Sequence, residues 1–375
     1  MNRTSLRRIA VPSIAALTLG ITLSACSAAN ESGSKASSSD TGSSDAAELS
    51  GDLSGAGASS QEKAQEAWAT GFQGVNSNVT VNYDPLGSGD GRKQFIAKGV
   101  SFAGSDSALN DDEGELTAAK ERCGGTDPIE VPAYVSPIAV IYKLDGVKDL
   151  QLSAKTIAGI FDNKITKWND SAIADENPDA DLPSTAITPV HRSDDSGTTK
   201  NFTDYLGKAG EGAWKYEAAD AFPTKGEAAE GTSGVVSAVT GGNGTIGYAD
   251  ASQAGELGEV KVKVGDEYTA PSAEGAAQVV AKSPAAKDRS DVDMAVDLDR
   301  TTTEAGSYPV VLLSYLIACQ TYDDASEANL VKAYLEYAIS SDGQAAAKKN
   351  AGSAELDPAV ADKAKAIIEK ISAKG

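Results

Sequence analysis

The chain has 375 residues, 23% of them charged and 41% hydrophobic, a globular composition with length enough for two domains. A formal net charge of −21 repels nucleic acid, and no basic patch offsets it, so any small anion must be held by local donors rather than by the overall field. A single His and three Cys argue against His-rich metal sites and His-based catalytic triads, and neither metal nor cofactor is expected.

Residues 1–25 read as an export signal. Arg3, Arg7 and Arg8 precede an apolar run from Ile9 to Leu23, too short for a typical membrane-spanning helix. The run ends in Leu23-Ser24-Ala25-Cys26, which resembles a bacterial lipobox. That resemblance implies a diacylated Cys26 as mature N-terminus and an anchor on the extracytoplasmic face of the cell membrane; two acyl chains, at about 0.8 kcal/mol per buried methylene, suffice for stable anchoring. Residues 26–48 are mostly Ser, Ala, Gly and Asp, bury too little apolar surface to order, and form a flexible tether.

The body begins at Leu49. Leu53 to Ser60 reads as a Gly-rich turn into a helix carrying Ala64, Ala67, Trp68 and Phe72 on one face, with Ser59 and Glu62 at capping-box spacing. Val79 to Tyr83 alternates as a strand and runs through Gly87-Ser88-Gly89-Asp90-Gly91 into a helix start at Arg92. Asp106 closes another alternating strand. Cys123 and Cys319 are expected to pair, as two remaining Cys of an exported chain most often do. Val135 to Leu144 reads as a central strand and Leu152 to Phe161 as a helix; Trp168, Trp214 and Tyr216 read as packing residues. A strand from Ala186 to Val190 opens into Arg192-Ser-Asp-Asp-Ser-Gly-Thr-Thr199, with Phe202, Tyr205 and Leu206 at helical spacing behind it. Gly231 to Val239 reads as a helix, Gly241 to Asp250 as a Gly-rich turn into a strand, Gly275 to Lys282 as a helix and Tyr308 to Ile317 as a buried strand. Asn329 to Ile339 and Ala359 to Ile371 read as helices with apolar faces. Strands alternating with helices argue for α/β layers.

The Arg192–Thr199 stretch favours an anion. The first N–H groups of a helix lack intrahelical partners and carry partial positive charge. Gly197 lets a ligand approach the backbone, Ser196 and Thr198 add hydroxyls, and Arg192 offers a planar fork that Asp194 can hold in place. His191 adjoins Arg192, but strand alternation turns it to the other face.

This stretch, with Phe202 and Tyr205-Leu206 behind it, resembles the signature of phosphate-binding proteins of the phosphate-specific (Pst) ABC uptake system, periplasmic-binding-protein type II, and the likeness extends over nearly the whole body. It implies a two-domain α/β fold, each domain a central mixed sheet flanked by helices, with the ligand in the interdomain cleft. Residues 49–133 and 307–375 would form one domain and residues 134–306 the other, with crossings near Tyr134 and Ser307 and a hinge that closes on ligand. It implies that Ser59, Ser60, Ser88, Asp106, Arg192, Ser196, Gly197 and Thr198 hold inorganic phosphate, that Asp194 supports Arg192, that no residue is catalytic, and that a lipid-anchored monomer passes the ion to the permease subunits of an ABC transporter. Two positions depart from the pattern. Ser60 stands where many relatives carry an aromatic residue, leaving only its backbone N–H secure, and Asp90 puts an acid where a small residue is usual. Asp106 is expected to sort anions: a carboxylate accepts the proton that phosphate carries near neutral pH and sulfate lacks. A sulfate or molybdate receptor differs only at that step. A serine hydrolase built on Asp195-Ser196-Gly197 is the rival from another class. Against it, the one His lies five residues upstream on the same loop, and no Gly-x-Ser-x-Gly elbow surrounds Ser196.

Overall fold

The computed structural model describes residues 48–112 and 114–375; the export signal, Cys26 and the tether through residue 47 lie outside the described residues. The described residues form one compact unit. Its main sheet has nine strands: β1 (Gly51–Gly57), β2 (Val79–Asp84), β3 (Phe102–Ser105), β4 (Ile129–Lys143), β5 (Thr188–Arg192), β6 (Glu227–Ala229), β7 (Thr245–Asp250), β8 (Gly258–Glu259) and β9 (Val311–Ala318). They lie in the order β2-β1-β3-β9-β4-β7-β5-β6, with β8 also on β4.

Strand β4 joins the two halves of this sheet. Its first part runs antiparallel to β9 through Pro137, and from Ile138 on it runs antiparallel to β7. The change of partner thus falls just beyond Tyr134. Both faces of β4 are buried: Ile138, Val140 and Tyr142 belong to the largest core, and Ala139 and Ile141 to a second core with Val235 and Val239. That two-sided burial explains the near-continuous apolar run read from the sequence. The parallel pairs β1–β2, β1–β3, β5–β6 and β5–β7 are joined through helices, as parallel pairing requires. The described helices of eight or more residues are α1 (Glu62–Val75), α2 (Ser88–Ile96), α3 (Glu115–Arg122), α4 (Ala154–Phe161), α5 (Gly197–Ala209), α6 (Gly231–Gly241), α7 (Ala273–Lys282), α8 (Ala325–Ile339), α9 (Ser341–Ala351) and α10 (Pro358–Ile368).

Cys123 and Cys319 are disulfide-bonded, their Cα atoms 5.2 Å apart. Trp168 is fully buried and donates to the Gly244 carbonyl at 3.1 Å. Trp214 is buried, whereas Tyr216 is 41% exposed and rests edge-on against Trp214, a surface lid on that ring rather than a core residue.

Two local expectations are corrected. Leu53 to Gly57 is not a turn but most of strand β1. Its glycines answer to close packing: a Cβ on Gly55 would lie 2.2 Å from the Phe102 ring, and one on Gly57 1.9 Å from the Gly104 carbonyl oxygen. Nor does the capping box form. Ser59 to Gln61 make a 3-10 turn, and Gln61 precedes α1 without a side-chain cap, because Ser59 spends its hydroxyl elsewhere.

Candidate functional site

The loops following β1, β2, β3, β5 and β6 leave the C-terminal ends of parallel or central strands, where open α/β sheets place ligands. Of the eight residues expected to hold an anion, Arg192 ends β5 and the others lie on these loops or on the helix starts behind them; five of them, Ser60, Ser88, Asp106, Gly197 and Thr198, meet. Gly197 makes the meeting possible: a Cβ there would lie 2.6 Å from the Ser88 hydroxyl oxygen and 2.9 Å from the Asp106 Cβ. The Asp106 N–H donates to Ser88 Oγ at 3.1 Å. The Asp106 carboxylate accepts from Ser60 Oγ, 2.7 Å from each oxygen, and from Thr198 Oγ1 at 2.8 Å. Asn201 Nδ2 donates to the Asp106 carbonyl at 2.7 Å, fixing the loop to α5.

Arg192 ends β5. Its Nε donates to Asp194 Oδ1 at 2.7 Å, and its Nη2 donates to Oδ2. Nη1 makes no hydrogen bond among the described residues, so one arm of the fork remains for a ligand. Asp194 Oδ1 also accepts from the Gly231 N–H at 3.0 Å. Ser196 caps α5, its Oγ accepting from Thr199 N at 3.1 Å. The N–H groups of Gly197 and Thr198, first in α5, have no intrahelical acceptor. Ser59 Oγ lies 2.9 Å from Thr232 Oγ1 and accepts from Thr232 N at 3.1 Å, so the start of α6 is docked onto the 3-10 turn.

The cluster is enclosed: Ser60 and Ser88 are fully buried, and Asp106 and Arg192 are each 3% exposed. Burial pushes the Asp106 carboxyl above its ordinary range, opposed by hydroxyls from Ser314, Ser60 and Thr198 and by the charge of Arg192. Burial also works against an ionised Asp194, but there the Arg192 fork and the Gly231 N–H prevail and hold the carboxyl below its ordinary range. The site therefore contains one carboxylate firmly ionised by its arginine and one poised closer to protonation.

Asp90, the unwelcome acid, turns outward and pairs with Lys93 at 3.3 Å, with about half of each side chain exposed. Ser60 holds more than its backbone: its hydroxyl takes the place of an aromatic wall as a donor to Asp106. His191 stacks on Phe222 with ring centroids 4.6 Å apart, and its Nδ1 lies 2.9 Å from the Arg192 carbonyl oxygen. It gives Ser196, whose hydroxyl oxygen caps a helix, no general base. Two participants were missed. Thr232 was read only as helix, and Ser314, which donates to Asp106 Oδ1 at 2.6 Å, lies within an apolar strand whose pattern gives no hint of it. The arrangement offers an enclosed tetrahedral anion a guanidinium arm, several hydroxyls, two helix-start N–H groups and one proton acceptor.

Residues 34–342 match the PBP superfamily domain. The chain is 34% identical over 293 residues to the phosphate-binding protein PstS2 of Mycobacterium bovis BCG, covering 77% of this chain and 79% of that protein. To PstS3 of the same organism it is 35% identical over 292 residues, covering 76% and 78%. Among solved structures, the fold resembles that of the periplasmic phosphate-binding protein PfluDING, determined with phosphate bound, with a TM-score of 0.69 at 24% identity over 84% of this chain and 93% of that one.

Proposed function

The chain belongs to the PBP superfamily and, within it, to the PstS phosphate-binding proteins, and from that premise we propose that it is a receptor that binds inorganic phosphate and delivers it to the permease subunits of an ABC importer. Arg192 supplies the cation through its unengaged Nη1. Ser59, Ser60, Ser88, Ser196, Gly197 and Thr198 supply hydroxyl and backbone donors. Asp106 accepts the proton of the ligand, and Asp194 holds Arg192 in place. The reading rests most heavily on one observation: a buried arginine with a free arm lies near enough to act electrostatically on a buried, ionisable carboxylate that three hydroxyls surround. An anion without a proton would meet Asp106 charge to charge in that cluster, a repulsion on the order of several kcal/mol when desolvated.

The receptor is a lipid-anchored monomer on the extracytoplasmic face of the membrane, tethered through Cys26 by residues 26–48. Its lobes are residues 49–133 with 307–375, and residues 134–306, hinged where β4 changes partner. No bond is made or broken in the ligand. Isothermal titration of the body lacking residues 1–48 with phosphate, sulfate and molybdate tests the reading. Tight binding of phosphate alone is expected; equal binding of sulfate would refute the assigned anion, and turnover of an acyl or phosphoryl ester lost in Ser196→Ala would refute a purely binding role.

A further inference from the structure

Asp106 receives three hydroxyls, and they are not equivalent. Ser60 and Thr198 make no other hydrogen bond through their hydroxyls among the described residues, and both sit at the start of a helical turn facing the proposed ligand. Ser314 is held from behind. The β9–β4 pairing shifts register between Ser314 and Tyr315, with Ala133 of β4 as the extra residue; β9 itself runs on unbroken, with the Ser314 hydroxyl on Asp106 and the Tyr315 carbonyl on Gln61. Gln61 Nε2 lies 2.5 Å from Ser314 Oγ and 3.2 Å from the Tyr315 carbonyl oxygen. A carbonyl only accepts, so the amide nitrogen of Gln61 must face β9 and donate to Ser314. Gln61 Oε1 in turn accepts from Gln65 Nε2 at 2.7 Å, and Gln65 Oε1 accepts from the Tyr334 hydroxyl at 2.8 Å. Gln61, Gln65, Ser314 and Tyr334 are all buried. Every proton in this chain points toward Asp106.

We propose that Ser314, locked by Gln61, is the hydroxyl that stays on Asp106 when an oxyanion draws Ser60 and Thr198 away, and that this one-way relay sets the acidity range over which the site accepts a protonated anion. The proposal rests on the phosphate reading above and adds to it two positioning residues, Ser314 and Gln61, that need not touch the ligand. The physical reason is directional. A fixed donor on Oδ1 bonds the ionised carboxyl more strongly than the neutral one, and a proton on Oδ1 itself would in addition leave the Ser314 proton without its acceptor in a buried site. The relay therefore opposes protonation of Asp106. The other charged or titratable groups near Asp106 are Arg192 from β5, Tyr83 from β2, Arg92 from α2, already engaged by Glu115 and Asp220, and Lys200, Asp204, Lys208, Asp297, Arg300 and Tyr315, which line a cavity that Asp106 borders. Among the described residues no side chain of these groups hydrogen-bonds to the side chain of Ser314 or Gln61, so that bonding is the same in the variants below.

Phosphate affinity measured from about pH 4 to about pH 8 by titration calorimetry reads the effect, because the ionisation of the ligand itself is common to all proteins compared. In Ser314→Ala and in Gln61→Leu the acid limb of binding is expected to move to higher pH by a factor of about three or more in proton concentration, with little change near neutral pH, and Ser314→Thr is expected to restore it. A uniform loss of affinity at every pH, with the limb unmoved, would overturn the relay and leave Ser314 as a packing residue. The midpoint of the Asp106 carboxyl in a carbon-13 titration of the ligand-free chain, compared with Gln61→Leu, reads the same quantity without phosphate. A higher midpoint in Gln61→Leu supports the relay and equal midpoints overturn it, whatever anion the protein carries. Failure of the unmodified chain to bind phosphate at any pH would instead overturn the receptor reading.

Discussion

Two buried arginines of this protein differ in what they leave unused. Arg92, on α2, commits all three of its nitrogens: Nε donates to Glu115 at 2.9 Å, Nη1 to Ser105 and Ser107 at 3.0 and 2.8 Å, and Nη2 to Asp220 at 2.6 Å. Arg192, at the end of β5, commits two nitrogens to a single carboxylate and keeps the third. Both are nearly inaccessible, both pair with Asp, and neither could be told from the other by burial or charge. The count of engaged donors separates them. A fully engaged guanidinium clamps chain segments together; one held by a single fork is oriented yet still able to receive an oxyanion.

The comparison is broken most sharply at Arg92. Arg92→Met leaves Asp220 and Glu115 without their cation, and removing one partner of a buried pair costs about 3–5 kcal/mol of stability. Urea unfolding without phosphate is expected to show that loss, while calorimetry on the folded variant shows phosphate affinity within a few fold of the parent. The reverse pattern is expected at Arg192. Arg192→Met combined with Asp194→Asn avoids a stranded carboxylate and should weaken phosphate binding by about 2–5 kcal/mol, some thirtyfold or more, with a much smaller change in unfolding. If the two variants behaved alike, donor count would not be the feature that matters.

The carboxylates of the site sharpen the same point. Asp106→Asn keeps an acceptor but adds a donor, so phosphate should bind about 1–2 kcal/mol more weakly and sulfate measurably better, both read by calorimetry. Unchanged selectivity would remove Asp106 from the sorting step. The pH dependence of stability should differ in sign between the two acids. Asp194 has a folded pKa below its unfolded value of about 3.9, so its contribution is present above that value and disappears as pH falls through the folded one. Asp106 has a raised folded pKa, so the folded state binds the proton more readily, and its ionisation lowers stability as pH rises from the unfolded value through the folded one. Urea midpoints followed against pH should flatten in that upper window in Asp106→Asn, and in the acid window in Asp194→Asn.

How far the sequence exposes these roles depends on where the cause of each feature lies. The helix start at Gly197 was legible because glycine and hydroxyl residues before an apolar helical period are local signals, whereas the helix expected from Arg92 already begins at Ser88, one turn earlier, within what read as a Gly-rich loop. Strand β1 was not legible as a strand, because Gly55 and Gly57 are dictated by the Phe102 ring and the Gly104 backbone, which approach from elsewhere in the chain. The first part of β4, residues 129–134, was missed where Glu130 and Pro132 interrupt its apolar pattern. Arg92 passed as an ordinary helix residue, since its partners Glu115 and Asp220 are 23 and 128 positions away. Ser314 was hidden in a buried apolar run, because the carboxylate it serves, Asp106, lies 208 positions away in the chain.

The smallest expected effect is the most exacting control, because it lies one residue from the largest. Lys93 follows Arg92 on α2 and also reaches across the cluster, donating to Asp195 at 2.5 Å, but its side chain is 58% exposed and that of Asp195 42%. Water screens such a pair, and holding two mobile side chains together consumes most of the gain, so exposed bridges contribute about 0.2–1 kcal/mol and fade with salt. Lys93→Ala should therefore shift the urea midpoint by less than about 1 kcal/mol in equivalent stability, with the difference vanishing in high salt. The backbone link beside it, Gly89 N–H to the Asp195 carbonyl at 2.9 Å, is unaffected by the substitution and would keep α2 docked. A loss at Lys93 as large as that at Arg92, and insensitive to salt, would mean that the whole edge of α2 acts as one clamp and that burial does not divide the two bridges.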